Sequence, residues 1–437
     1  MARIIDGDIL VSYVDLPYGI RRKGSCFVIP IEESEYLELK DKLDYIKYDN
    51  VYNPIIYFQI TGRCNSKCKH CFAAVDNNPL VTEFSLEDMN KFLDECRDCG
   101  VLAFTITGGE PTVHRNFYEI LDGIYKRGMT ILDFNTNGYT LNQEMLDYFK
   151  KLNFDPNIKI SFDGVGIHDY MRGVKGAEEK ALNAMKLSIK NGFRTYSQTQ
   201  VNKLTMKNMD ETLEVLDKLG LQTVRLIKTT DTPRWEQNAK GNSYTFKEYY
   251  EEMLNLSEKY LSKKHNTELD IWEFISVDPK KLYPYGRPFC HARKCGENNF
   301  LCRAQVEMLS VGSNGDVYPC LEMQGVVDSF GYKYGNVIKD GLKSILKKDS
   351  KHYKAVHHDI EERMKHNKKC MECQYKDYCT GGCPGLGMVY SRGDLLGIDK
   401  SRCEFFETGI YKKIAKLLDY KNKFSEFYEV FNKEKEN

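Results

Sequence analysis

The chain has 437 residues, 41% of them hydrophobic, with 63 Lys and Arg against 63 Asp and Glu. That length calls for two or three domains, each with a core. The zero net charge excludes the global basic field that collects nucleic acid, and no apolar run approaches the ~18 residues needed to cross a bilayer.

The first residues, MARIIDGDILVSY, carry scattered charges and no apolar signal core, so a cytoplasmic location is expected, with no nucleic-acid or membrane partner. Fifteen cysteines in such a chain argue for metal sites over a disulfide framework. Their distribution agrees, since none falls in 100–289 and nine fall in 290–403.

Residues 1–53 read as an N-terminal accessory segment. Stretches 9–14 and 26–31 alternate as strands do, and 34–43 has helical spacing. So short a piece fits strands that cap the next domain better than a complete recognition domain. From 54 to 232 strand and helix alternate. The strands fall at 55–60, 103–107, 130–135, 158–161, 195–201 and 223–227, with amphipathic helices such as 86–99, 116–127 and 208–219 between them. Repeated βα units imply a parallel sheet with right-handed crossovers. Six of them describe an α/β protein built on a partial (β/α)6 barrel, an open relative of the TIM barrel. Ligands in such sheets sit at the C-terminal ends of the strands.

The candidate motifs fall at those ends. The first strand runs into TGRCNSKCKHCF, which spaces Cys64, Cys68 and Cys71 as C-x3-C-x2-C. Three thiolates this close can converge on one soft metal centre. A [4Fe–4S] cube would keep one iron open, a zinc knuckle would borrow a distant fourth ligand, and three unrelated thiols would hold nothing. The second strand ends in TGGEP. Gly108 and Gly109 allow close backbone approach, Glu110 can accept from an ammonium group, and Pro111 fixes the exit turn. The third strand ends in NTNG, with Asn135 and Asn137, and the fourth in SFDG, with Ser161 and Asp163. HDYMRG follows, with Arg172, and Gln200 and Asn202 end the fifth strand. Cys96 and Cys99 stand i, i+3 in a helix, as a redox dithiol or as packing; Cys26 reads as core.

Residues 233–289 form a bridging region, polar and loop-like up to Thr245, then helical over 246–265. The cysteine-rich domain spans 290–410. Cys302, Gly315 and Cys320 follow C-x12-G-x4-C, and the NGD turn between them pairs 306–311 with 317–318 as a hairpin. Cys370, Cys373, Cys379 and Cys383 follow C-x2-C-x5-C-x3-C, and Cys403 comes after a gap. Residues 411–437 read as a Lys- and Glu-rich helix with a solvated face.

The run CNSKCKHC, with TGGEP one strand later, resembles the radical S-adenosylmethionine (SAM) superfamily. The C-terminal cysteine order resembles its SPASM extension. The resemblance implies that Cys64, Cys68 and Cys71 hold a [4Fe–4S] cube whose open iron chelates SAM, and that a 5′-deoxyadenosyl radical then takes a hydrogen from substrate. It implies SAM contacts from Gly108, Gly109, Glu110, Asn135, Asn137, Ser161, Asp163 and Gln200, with Arg172 on the SAM carboxylate. His70, where the family commonly has an aromatic ring, would pack beside the adenine. Two auxiliary [4Fe–4S] clusters follow, one on Cys295, Cys302, Cys320 and Cys383, with Cys290 competing for the first place, and one on Cys370, Cys373, Cys379 and Cys403. Eight thiolates would equally saturate two zinc ribbons.

The expected activity is hydrogen abstraction from a ribosomally made peptide or protein to form a thioether or carbon–carbon crosslink, with a flavodoxin- or ferredoxin-type reductant. Sulfatase-maturing relatives usually carry Asp directly after the equivalent of Cys320. Here Leu321 stands there and Glu322 follows, so Glu322 is the candidate proton acceptor. Sulfatase maturation, a small-molecule radical SAM dehydrogenase and a non-enzymatic electron carrier stay open as alternatives.

Overall fold

The computed structural model describes residues 8–13, 16–23, 28–48, 54–73, 82–272, 275–277, 285–286, 301–302, 308–376, 379 and 381–417. Cys26, Cys290 and Cys295 lie outside them, as does the end of the C-terminal helix. The chain packs as two compact units. One contains Met1–Ser161, Arg172–Thr195 and Cys302–His358; the other contains Phe162–Met171, Tyr196–Leu301 and Asp359–Asn437. These units cut across the segments expected from the chain order. Residues 302–358 cluster with the N-terminal half.

In the first unit, a four-stranded sheet opens the chain in the order β3-β2-β1-β4. Its strands are β1 (Asp8–Tyr13), β2 (Leu16–Arg22), β3 (Val28–Pro30) and β4 (Asp44–Tyr48). Sequence reading missed β2 because Pro17 and Gly19 argue against a strand. Ile9 and Val11 pack with Ile46 and Leu102, and a Cβ on Gly128 would meet Ile9 at 2.6 Å. Leu102 and Gly128 lie just ahead of the next two barrel strands. The small sheet therefore covers the N-terminal ends of those strands, away from the ends that carry the motifs.

The unit continues as β5 (Ile55–Gln59), β6 (Ala103–Thr107), β7 (Thr130–Thr136) and β8 (Asn157–Ser161), all parallel. The helix Leu86–Asp98 shows why the alternation holds. Ser85 caps it by accepting from the Asp88 N–H. Met89, Phe92, Leu93 and Cys96 then form one buried stripe. Phe58 of β5 meets Phe84 and Phe92 edge to face at 5.3 Å, so strand and helix share one aromatic core.

The expected hairpin is present as β14 (Met308–Val311) and β15 (Val317–Tyr318), with Val311 opposite Val317. Gly315 takes φ +85° at its turn. Sequence reading did not anticipate that β14 would pair in parallel with β5, Met308 beside Ile55, so that the C-terminal segment adds a strand to the barrel sheet.

The second unit carries the last two expected strands, β9 (Thr195–Val201) and β10 (Thr223–Lys228), in parallel. A further parallel strand, β11 (Glu268–Ile271), follows, and β12 (Ile275–Val277) and β13 (Tyr285–Gly286) extend it antiparallel. The stretch read as loop after residue 232 is a helix, Pro233–Ala239. Thr232 caps it, Pro233 takes its first position, and Trp235 is wholly buried. Its polar composition hid two good start signals. The helix expected over 246–265 runs over Phe246–Leu261, with a Thr245–Glu248 capping box.

Candidate active site and iron–sulfur ligands

The cysteine loop leaves β5 and is held from three sides within the first unit. The GGE turn docks on it by backbone: Gly109 N–H donates to Thr61 C=O at 2.8 Å and Glu110 N–H to Arg63 C=O at 2.7 Å. A Cβ on Gly108 would stand 2.8 Å from the Thr61 oxygen, and one on Gly109 would overlap the Arg63 carbonyl. Both glycines are therefore needed for this approach. On another side, Lys67 N–H donates to Arg172 C=O at 3.0 Å. The buried Arg172 guanidinium reaches Cys68 Sγ at 3.6 Å. The third contact is at Phe72, whose carbonyl oxygen a Cβ on Gly325 would meet at 2.6 Å.

Glu110 is buried, and its carboxylate ties the ends of β6 and β7. Oε1 accepts from Thr112 N–H at 3.2 Å, from Thr112 Oγ1 at 2.6 Å and from Thr136 Oγ1 at 2.6 Å; Oε2 accepts from Asn137 N–H at 2.7 Å. Burial raises its pKa against the pull of those donors. Asn137 then reaches into the cysteine loop, donating to Asn65 Oδ1 at 2.6 Å and Ser66 Oγ at 3.2 Å. Asn135 donates to Ile106 C=O at 3.3 Å, while its Oδ1 is buried without a partner. A buried, unsatisfied amide oxygen at a strand end fits a ligand that brings a donor.

Ser161 is the half-buried last residue of β8. In the second unit, Asp163 is fully buried and its Oδ1 accepts from Gln200 N–H at 3.3 Å. Its own N–H donates to His168 Nδ1 at 2.9 Å, which leaves the His168 proton on Nε2. Asn202 is spent on its turn, accepting from Leu204 and Thr205 N–H and donating to Thr229 Oγ1.

The thiols of Cys64, Cys68 and Cys71 are half-buried and unbridged. Burial, with Cys68, Glu110 and Cys71 alongside, pushes the Cys64 thiol up to about 12, against one lowering bond at Ser66. A cationic centre that binds thiolate would supply the missing counter-charge. Among the described residues, no three His, Cys, Asp or Glu groups are gathered tightly enough for a single metal ion. In a cube each thiolate meets its own iron, so its ligands stand farther apart.

Sequence reading missed the groups that brace the loop. Thr61 Oγ1 donates to Glu83 Oε1 at 2.6 Å, and Arg63 Nε lies 3.1 Å from the same oxygen. Gln59 Nε2 donates to Gln324 Oε1 at 2.7 Å, which joins β5 to the helix Gln324–Ser329. Neither residue sits in a motif, and no local pattern marks them. Cys96 and Cys99 are both buried, Cys96 with its thiol raised well above the ordinary value by burial, as packed side chains are.

Cys302 and Cys320 belong to the first unit, and Cys383 to the second. Glu322 lies in the turn Leu321–Met323, with its side chain outside the described set. The other expected set is gathered within the second unit. Cys370, Cys373, Cys379 and Cys403 line one cavity with Lys369, Arg402 and Phe406. Tyr375 N–H donates to Cys373 Sγ and Gly381 N–H to Cys379 Sγ, both at 3.4 Å.

Two stretches of the chain match known protein families. Residues 58–219 match the radical SAM superfamily and residues 302–374 match an iron–sulfur cluster-binding domain, SPASM. The Fe-coproporphyrin III synthase of Methanosarcina barkeri is 24% identical across 75% of this chain and 82% of its own length. The antilisterial bacteriocin subtilosin biosynthesis protein AlbA of Bacillus subtilis is 27% identical across 75% of this chain and 66% of its own. The crystal structure of Streptococcus suis SuiB bound to precursor peptide SuiA shares the fold with a TM-score of 0.64 at 15% identity, covering 92% of this chain and 100% of that one. A three-cysteine loop on the first strand of a parallel βα sheet, inside the matched stretch, places this chain in the radical SAM superfamily as an enzyme with a C-terminal SPASM domain.

Proposed function

We propose that this enzyme abstracts a hydrogen from a ribosomally made peptide and installs a thioether or carbon–carbon crosslink, using three [4Fe–4S] clusters. Cys64, Cys68 and Cys71 hold the first cluster. Cys295, Cys302, Cys320 and Cys383 hold the second, and Cys370, Cys373, Cys379 and Cys403 the third. The observation that carries the reading is the gathering of four SPASM cysteines on one cavity, in a chain whose first triad lies on a loop docked against the GGE turn. Bound SAM, with the first cluster reduced, supplies the carbon radical.

The chain's own residues do the positioning. Gly108, Gly109 and Glu110 hold the cysteine loop to the ends of β6 and β7. Asn135 Oδ1 is an open acceptor for a ligand hydroxyl or ammonium. Arg172 sits on Cys68 and keeps a guanidinium within reach of a ligand carboxylate. Glu322 takes the substrate proton, and Asn137, Ser161, Asp163 and Gln200 complete the SAM site. A flavodoxin- or ferredoxin-type protein delivers the electron.

Similarity to AlbA, a bacteriocin biosynthesis protein, and to SuiB bound to its precursor peptide favours a peptide substrate, and similarity to the coproporphyrin synthase favours a tetrapyrrole. Anoxic reconstitution separates the two. About twelve irons should be found per chain, as three cubes require. Release of 5′-deoxyadenosine should rise with a precursor peptide encoded beside the gene and not with an iron porphyrin. Stimulation by the porphyrin alone would overturn the peptide reading.

A further inference from the structure

Three cations of its own unit line the cavity of Cys370, Cys373, Cys379 and Cys403, and a fourth, Arg363, lies behind its wall at Gly381. Arg363, on the helix Ile360–His366, is 1% exposed. Its Nη1 donates to Gly382 C=O at 2.7 Å, and Nε donates at 3.2 Å to Gly397 C=O, which Nη2 also bonds. Gly381 has φ +84°, and a Cβ there would press on Arg363 Nε at 3.0 Å. The guanidinium thus lies against the loop that joins Cys379 to Cys383. Arg402 is 6% exposed, lines the cavity, and stacks its guanidinium over Phe405 at 5.4 Å. Lys369 and Lys376 line the rim.

Two carboxylates face the same space, and both are engaged. Asp399 Oδ1 accepts from Ser401 N–H at 2.9 Å and Ser401 Oγ at 2.5 Å, and its Oδ2 accepts from Cys383 N–H at 3.0 Å. Glu407 pairs with Lys369 at 3.2 Å. Among negative groups Asp399 acts most strongly on Arg363, followed by Cys383, Cys379 and Cys370, and Arg402 acts on Cys379. A guanidinium held by neutral carbonyls in the interior is costly unless a negative centre lies close. Four thiolates on a cube are such a centre.

We propose that Arg363 and Arg402 set the reduction potential of the cluster held by Cys370, Cys373, Cys379 and Cys403, keeping it above the value those thiolates would give alone. The proposal rests on the reading that a cube occupies this cavity. Adding an electron deepens the cluster's negative charge, and a desolvated cation nearby stabilises the reduced state more than the oxidised one. The two amide bonds to Cys373 and Cys379 act in the same direction. Neither arginine touches substrate in this role; both act through the cluster.

The test is a redox titration of the full-length, anoxically reconstituted protein, read by electron paramagnetic resonance. Signals are assigned by comparison with the Cys370→Ser, Cys403→Ser double variant. Arg363→Met and Arg402→Gln should keep their iron and shift the midpoint of this centre to more negative potential. Arg363→Lys and Arg402→Lys should stay near the parent value. An unmoved midpoint in both charge-removing variants would overturn the proposal. So would loss of this cluster from both, since holding the loop would then account for the two arginines. If the double cysteine variant kept its full iron and sulfide, the cluster reading itself would fall, separately from the role given to the arginines.

Discussion

At the scale of single residues, Glu110 and Gly109 show a motif acting through the backbone. The Glu110 carboxylate receives four hydrogen bonds, about its full acceptor capacity, and spends them joining two strand ends. Gly109 lets the turn lie on the Arg63 carbonyl. Gly109→Ala should push the turn off the cysteine loop and cost roughly 1–3 kcal/mol through overpacking. Displacement of the loop by an ångström should lower 5′-deoxyadenosine release on the order of a hundredfold. A thermal melt and an anoxic assay check both, and unchanged turnover would refute the docking role. His352 makes a pH prediction. Burial, assisted by His357, lowers it from 6.5 to about 4, against a raising bond at Tyr318. The folded chain thus resists protonation that the unfolded chain accepts. Stability from this group is full above pH 6.5 and is lost as pH falls towards 4, by about 3 kcal/mol. Denaturant titrations between these limits should show the slope, and His352→Phe should flatten it.

At the scale of elements, the strands and helices of the barrel were legible because each makes its own signal. Alternation, a capping Ser or Thr and a buried stripe are all local. The helix Pro233–Ala239 was misread from its polar composition, although Thr232 and Pro233 announced it. The pairing of β14 with β5 had no such signal, because a parallel partner is chosen by packing. The Gln59–Gln324 bond belongs to that same junction, with Gln59 only 1% exposed. Gln324→Ala should strand the Gln59 amide and cost about 1–3 kcal/mol. Equilibrium unfolding measures it, and a cost near zero would show that water or another side chain takes the place of Gln324.

At the scale of the whole molecule, the cysteines sort by role. Replacing Cys64, Cys68 and Cys71 with Ala should remove about four irons, leave about eight, and abolish SAM cleavage. Iron and sulfide counts with a 5′-deoxyadenosine assay decide it, and residual cleavage would sink the assignment of the triad. What the chain order alone determined was the chemistry: cysteine spacing, the βα alternation and the NGD hairpin are written in neighbouring residues, where short-range geometry makes them readable. Only the tertiary structure decided that Glu83 braces Thr61 and Arg63, that Arg172 lies on Cys68, and that Arg363 is buried against Gly382 and Gly397. Those partners are far apart along the chain, and no periodicity links them. Their pairing follows from which buried polar groups the packed core leaves to be satisfied.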